Sequence, residues 1–240
     1  MASISFIVPA YDEERLLGRT LVAIERAARA LGEGFEIVVV DDASTDRTAA
    51  VAREHGARVV SVCHRQIAAT RNAGARVASG ELFVFVDADT IVNDAVVRAA
   101  VAAMRAGAVG GGCAFRFGGR VPAYGRVMEA VAVPVYRGLG LASGCFLFCT
   151  RAAFAEVGGF DESLFGAEEA ALCRALHRRG RFVILREAVT TSGRKLRAHS
   201  GREVLGILLG LALAGTRSVR RRESLGIWYG ERREDPDPEE

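Results

Sequence analysis

An α/β fold, with a mainly parallel sheet flanked by helices, is predicted by three features of the 240-residue sequence. Short apolar runs alternate with helix-length segments through the first hundred residues or so. Two of the runs, Phe35–Val40 and Leu82–Val86, are dominated by apolar residues, as in strands buried on both faces. The connections are tight, and strand–helix–strand units joined in this way form right-handed crossovers.

In order, Ile4–Val8 reads as the first strand, followed by a helix starting near Asp12 with Glu13 and Glu14 in its first turn, where carboxylates complement the helix dipole. Phe35–Val40 is the second strand. Asp46–His55 is a helix closed by Gly56, Arg58–Val62 the third strand, Ile67–Ala78 a helix and Leu82–Val86 the fourth strand. The second half is less regular. Strands are predicted over Ala108–Phe117, Gly144–Thr150 and Arg181–Leu185, and helices over Tyr124–Val135 and Ala167–Arg179. Val204–Arg222 predicts an apolar helix with a basic end. Glu231–Glu240, acidic and holding two prolines, predicts a disordered tail.

Composition narrows the function. Half the residues are hydrophobic, enough for the core of one large domain. The formal charge of +3 is too small to argue for nucleic acid. The five cysteines, Cys63, Cys113, Cys145, Cys149 and Cys173, show no zinc spacing and suit a reducing compartment; Cys145 and Cys149 are expected on one face of a strand. The N-terminal residues do not read as a signal peptide. The apolar run Val204–Gly215 offers about a dozen residues against the ~20 of a spanning helix. A cytoplasmic protein, in solution or peripheral at the inner face of the plasma membrane, is expected.

Parallel α/β sheets bind ligands at the carboxyl ends of their strands. There the sequence places Pro9-Ala10-Tyr11, Asp41-Asp42 and Asp87-Ala88-Asp89. Two carboxylates one residue apart after a buried strand suit Mg²⁺ or Mn²⁺, which takes one or two carboxylates together with phosphate oxygens. Asp89 could instead cap a following helix. An Asp after the second strand can accept from a nucleobase imide, with Ser44 or Asp46 capping the next helix. Arg71, in Arg71-Asn72-Ala73-Gly74, offers a fork of donors to a diphosphate.

Taken in order, Phe6-Ile7-Val8-Pro9-Ala10-Tyr11-Asp12-Glu13-Glu14, Val40-Asp41-Asp42-Ala43-Ser44-Thr45-Asp46, Arg71-Asn72-Ala73-Gly74, Asp87-Ala88-Asp89, Gly158-Gly159-Phe160-Asp161-Glu162 and Ala167-Glu168-Glu169 resemble family 2 glycosyltransferases of the GT-A, Rossmann-like fold. The resemblance runs over some four-fifths of the chain, to about residue 195.

It implies an inverting transfer of sugar from a UDP-, GDP- or dTDP-sugar to a hydroxyl acceptor, lipid-linked or glycan. Pro9, Tyr11, Glu13 and Asp42 would hold the nucleoside, with Arg71 and Asp87 at the diphosphate and sugar. Asp89 would be the principal ligand of Mn²⁺ or Mg²⁺. The catalytic base of the family belongs to a Glu-Asp pair, which here reads Glu168-Glu169; Glu169 aligns with the base, and Glu168 is the alternative. Thr190–Lys195 and His199 follow the last strand, with Arg194 and Lys195 as a phosphate clamp and His199 as a third metal ligand or a surface histidine.

The implied organisation is a catalytic domain over 1–200, with a nucleotide-binding half (1–106) and an acceptor half (107–200), then a helical appendage (201–230) and the tail (231–240). Residues 203–222 fit core packing, homodimerisation or membrane-surface contact. A nucleotidyltransferase would carry a Gly- and Arg-rich phosphate loop after the first strand, and a dehydrogenase GxGxxG; neither is present there. A scaffold that binds nucleotide-sugar without turnover is the non-enzymatic alternative.

Overall fold

The computed structural model describes residues 3–204, 206 and 219–229. Among these, the strands are β1 (Ile4–Ala10), β2 (Phe35–Asp42), β3 (Arg58–Val62), β4 (Leu82–Val86), β5 (Thr90–Ile91), β6 (Gly110–Gly118), β7 (Phe146–Thr150) and β8 (Phe182–Ser192). They form one sheet in the order β3-β2-β1-β4-β7-β6-β8-β5. The helices are α1 (Leu17–Arg29), α2 (Thr48–Glu54), α3 (Ile67–Val77), α4 (Asp94–Arg105), α5 (Ala123–Leu139), α6 (Arg151–Val157), α7 (Glu168–His177) and α8 (Arg194–Ala198). A 3-10 turn, Arg222–Leu225, leads into the short α9 (Gly226–Tyr229).

The first four strands are parallel, as their crossovers require. Beyond β4 the sheet becomes mixed. β7 runs antiparallel to β4 and β6, β8 lies parallel to β6, and β5 closes the edge antiparallel to β8. Side chains alternate across the strands. On one face Phe6, Val8, Val39, Val84, Val86 and Phe148 share a core with Leu17, Leu21 and Ile24 of α1 and Val97 and Val101 of α4. On the other, Ile7, Val40, Phe83, Phe85 and Leu147 pack with Phe154, Phe160 and Leu172. Each such fully buried side chain contributes about 1.5–3 kcal/mol.

Several expectations need correction. Helix α1 begins at Leu17, so Glu13 and Glu14 are not in its first turn; their segment is held by the neighbouring loop instead. Helices α4 and α6 went unrecognised, and it is Asn93, not Asp89, that caps α4 by accepting from Val96 N at 2.9 Å. Cys145 precedes β7 and joins the opposite core from Cys149, so the two do not share a face. The predicted helix over Val204–Arg222 falls mostly outside the described residues, and the tail 231–240 wholly so. No helix among the described residues is long and apolar enough to cross a membrane.

Gly74 shows how tightly α3 lies on the sheet. A Cβ there would stand 2.4 Å from Ile7 Cγ2 and 2.9 Å from Val40 Cγ2. Gly74→Ala is expected to lose about 1–3 kcal/mol to overpacking, more than the ~1 kcal/mol of helix propensity it regains. Urea unfolding of the variant reads the net loss as a lower midpoint with an unchanged slope.

Candidate active site

The carboxyl ends of β1, β2 and β3 carry loops that clasp one another. Asp12 N donates to Ser44 Oγ at 2.9 Å, Glu13 N to Thr48 Oγ1 at 2.7 Å and Glu14 N to Asp46 Oδ2 at 3.1 Å. In return, Asp12 Oδ1 accepts from Thr45 N and Glu14 Oε2 from Arg47 N. Ser44 therefore serves the first loop and not α2, whereas Asp46 does accept from Thr48 N at the start of α2, at 2.8 Å. Among the described residues, the non-glycine residues with positive φ are Asp12, Ala43 and Arg65 in these loops and Ala167 just before α7. Left-handed backbone in such residues costs of order 1 kcal/mol each and persists where surroundings enforce it.

Asp42 is engaged by the chain itself. Its Oδ1 accepts from the backbone N–H groups of His64 and Arg65 at 2.7 and 2.9 Å. Its Oδ2 lies 3.1 Å from Gln66 N and 2.8 Å from the Thr70 hydroxyl. These contacts engage both carboxylate oxygens and hold Asp42 at the N-terminus of α3. Asp42 shapes the wall of the site. Beside it, buried Asp41 keeps an Oδ1 without a hydrogen-bond partner. Pro9 is partly exposed on β1, and the Tyr11 ring lies under the Arg65 guanidinium at 3.5 Å.

Arg71 joins four parts of the chain. It is 2% exposed and donates to Asp87 Oδ1 at 2.8 Å, to Gly144 O at 2.9 Å and to Glu168 Oε1 at 2.9 Å. Burial opposes its charge, but Asp87, Glu168 and Glu169 outweigh that and raise its pKa above the ordinary value. Asn72 completes the local logic of the Arg-Asn-Ala-Gly motif. Its amide exchanges two 2.9 Å bonds with the backbone of Phe160, and left-handed Gly158 and Gly159 turn the chain into that position. A Cβ on Gly159 would stand 2.7 Å from Asn72 Oδ1. Phe160 then packs on Phe85 at 5.1 Å and lies 5.2 Å from the Arg71 guanidinium.

Asp89 stands two residues beyond Asp87. Arg194, from α8, ion-pairs with Glu13 and lies 3.4 Å from Asp89 Oδ2. A cleft of about 180 Å³ opens beside Asp89, lined by Thr20, Gly118 and Thr191 among others. Of the expected clamp, Arg194 reaches the site while Lys195 points into solvent. His199 is not brought in as a ligand. Its carbonyl accepts from Tyr124 at 2.7 Å, and no three His, Cys, Asp or Glu side chains among the described residues converge on one point.

Glu168 is buried and committed to Arg71. Burial and the adjoining Glu168 carboxylate push Glu169 up to about 8, with Arg71 pulling it down. The two acids thus differ: Glu168 is the counter-ion of Arg71, and Glu169 is held above the usual carboxylate range. Burial also raises the thiols of Cys113, Cys145, Cys149 and Cys173, which makes them core residues, not nucleophiles.

The sequence profile described as "Glycosyl transferase family 2" matches residues 5–153, more than half of the chain. The chain belongs to this family. Among curated proteins, this family 2 chain is 39% identical over 106 residues to a validoxylamine A glucosyltransferase of Streptomyces hygroscopicus subsp. jinggangensis, covering 42% of this chain and 25% of the relative. It is 42% identical over 94 residues to an undecaprenyl-phosphate 4-deoxy-4-formamido-L-arabinose transferase of Pseudomonas paraeruginosa, covering 36% and 27%. It spans about a quarter of the length of these relatives. Among solved structures, a mannosyltransferase of Pyrobaculum calidifontis in complex with GDP-Man and Mn²⁺ superposes with a TM-score of 0.69 at 20% identity, over 98% of this chain and 66% of that one. The glucosyl-3-phosphoglycerate synthase of Mycobacterium tuberculosis gives 0.61 at 22% identity, over 97% and 81%. These likenesses establish the GT-A fold.

Within this family 2 site, sequence reasoning missed Arg65 and Tyr229. Tyr229 ends α9, stacks edge-on to Phe165 at 5.7 Å and sits close enough to Glu168 and Arg71 to feel both charges. The 219–229 segment also offers Val219 O to Phe165 N at 2.7 Å and buries Leu225 near Gly166, just ahead of Glu168 and Glu169. No local motif marks it, because its role comes from long-range packing.

Proposed function

We propose that the protein transfers a sugar, with inversion, from a nucleotide diphosphate sugar to a hydroxyl acceptor, using Glu169 as base. The observation that carries this is the convergence of Asp87, Asp89, Arg71 and the Glu168–Glu169 pair at one sheet edge. Glu169 accepts the acceptor's proton as its oxygen bonds to the anomeric carbon, while the bond from that carbon to the diphosphate breaks. Arg71 holds Asp87 and Glu168 in place, which leaves Glu169, hydrogen-bonded to Glu168, outside the ion pairs. Glu13, Tyr11 and Asp41 border the space for the nucleoside, and Arg194 is within reach of the diphosphate.

The donor set suits a divalent cation. Asp89 and Asp87 would hold Mg²⁺ or Mn²⁺, which needs only one or two protein carboxylates beside phosphate oxygens. When bound, such an ion neutralises charge growing on the departing diphosphate.

Thermal unfolding with UDP, GDP or dTDP, each with and without Mn²⁺, tests this reading. One nucleotide at a hundred times its dissociation constant should stabilise by about 2.7 kcal/mol, a shift of roughly 5–10 °C. The shift should require the metal and vanish in Asp89→Ala. No shift with any nucleotide would count against a donor site; a shift without turnover on any hydroxyl acceptor would favour the scaffold.

A further inference from the structure

Two helices of the site start without a side-chain cap from their own N-cap residue. Helix α7 follows Ala167, which stands at φ 58° in the left-handed region, and the carboxylates of Glu168 and Glu169 share its first turn. Such backbone in a non-glycine residue persists only where its surroundings enforce it. Helix α3, which carries Arg71, follows Gln66, whose side chain serves a different loop. Gln66 Nε2 donates to Glu162 O at 2.6 Å and to Leu164 O at 3.1 Å. The first amides of α3 need acceptors from outside the helix. Asp42 serves Gln66 N, and Ile67 N comes next.

Residues 219–229 meet both starts. Val219 O accepts from the amides of Phe165 and Gly166 at 2.7 and 3.2 Å, immediately ahead of Ala167. Leu225 is buried so close to Gly166 that a Cβ there would stand 3.1 Å from Leu225 Cδ1. The Tyr229 ring lies edge-on to Phe165 at 5.7 Å, and its hydroxyl accepts from Ile67 N at 3.4 Å. The Arg222 guanidinium lies 5.6 Å from the same ring. Burial pushes the Tyr229 phenol up to about 12, so it stays neutral. One side chain thus touches both the start of α3 and the loop that leads into α7.

We propose that Tyr229 is a positioning residue of the transfer site: with residues 219–229 it clasps the starts of α3 and α7, and so holds the Glu168–Glu169 pair against Arg71. Glu168 meets Arg71 at 2.9 Å across these two helices, and neither helix start fixes itself. Once the Phe165 and Gly166 amides are released, Ala167 can relax from its left-handed conformation, and the first turn of α7 moves with it. Arg71 stands one turn beyond Ile67, so a shift at the start of α3 carries to its guanidinium. A displacement of about 1 Å in such groups costs on the order of a hundredfold in rate. This role rests on the sugar-transfer reading, in which Glu169 is the base.

The test compares the full chain with Tyr229→Ala and Tyr229→Phe in two measurements. Hydrogen exchange reads the clasp itself. In Tyr229→Ala, exchange should quicken in peptides spanning 64–71 and 161–170 and stay parent-like in 94–105 of α4. Hydrolysis of UDP-glucose, GDP-mannose or dTDP-glucose, with water as acceptor, reads the site. Tyr229→Ala should lower kcat by about tenfold to a hundredfold with KM unchanged. Tyr229→Phe keeps the ring on Phe165 and should lie between it and the parent. Unchanged exchange in the two peptides would overturn the proposal, as would equal acceleration in all three, which marks a general loss of stability. So would a raised KM with parent-like kcat. A parent that hydrolyses none of the three nucleotide sugars would sink the sugar-transfer reading together with this role; an active parent with an equally active alanine variant would sink this role alone.

Discussion

Glu169→Gln is expected to lower kcat by about 10²–10⁴-fold while leaving donor affinity intact, because it removes a proton acceptor and keeps the side chain's shape. Steady-state kinetics paired with nucleotide binding reads the two effects separately. The pH profile gives a second check. A base works only when deprotonated, and the Glu169 carboxyl is raised to about 8. For the parent, kcat/KM should therefore climb with pH and level off above about 8. Glu168→Gln removes the negative neighbour that helps to raise Glu169, so its ascending limb should move to lower pH. If Glu169→Gln keeps turnover and Glu168→Gln abolishes it, Glu168 is the base.

Arg71→Met is expected to destabilise the protein by about 3–5 kcal/mol, as seen when one partner of a buried ion pair is removed and the other charge stays behind. Here two carboxylates are left, Asp87 and Glu168, together with the carbonyl of Gly144. Arg71→Lys should recover only part of the loss, since a point ammonium on a single stem does not reproduce a planar fork spanning three acceptors. Urea unfolding orders the three proteins, with the lysine variant between the others. A parent-like midpoint for the methionine variant would mean that the bridge holds the site together without supporting the fold.

The parallel half of the sheet was legible in the sequence because β1, β2 and β4 are buried on both faces and read as apolar runs. Arg58–Val62 and Leu82–Val86 are observed at their expected bounds. The mixed half was harder. β8 runs to Ser192, well past Leu185, after a register shift opposite Cys113 and Ala114 that no local pattern announces. At the site, Asp87, Arg71 and the Glu168–Glu169 pair were legible as residues, but their division of labour was not. Asp42 shows why. Its fate is decided by three backbone amides some twenty residues further on, which spacing does not reveal. Asn72 and Gly159 were visible in the motifs, yet only their contact shows that one needs the other.

The position of β5 at the sheet edge bears on how the chain is made. Thr90 and Ile91 have a single strand partner, Thr190 and Thr191 of β8, and the carbonyl of Asp89 itself receives the amide of Ser192. About a hundred residues separate the two, which at roughly 5–20 residues per second takes a ribosome about 5–20 s. For that interval the early strands can assemble, but Asp89 lacks its last backbone partner. The strand end that carries Asp87 and Asp89 is therefore completed only after residue 192 has been made, although β1 to β4 emerge first.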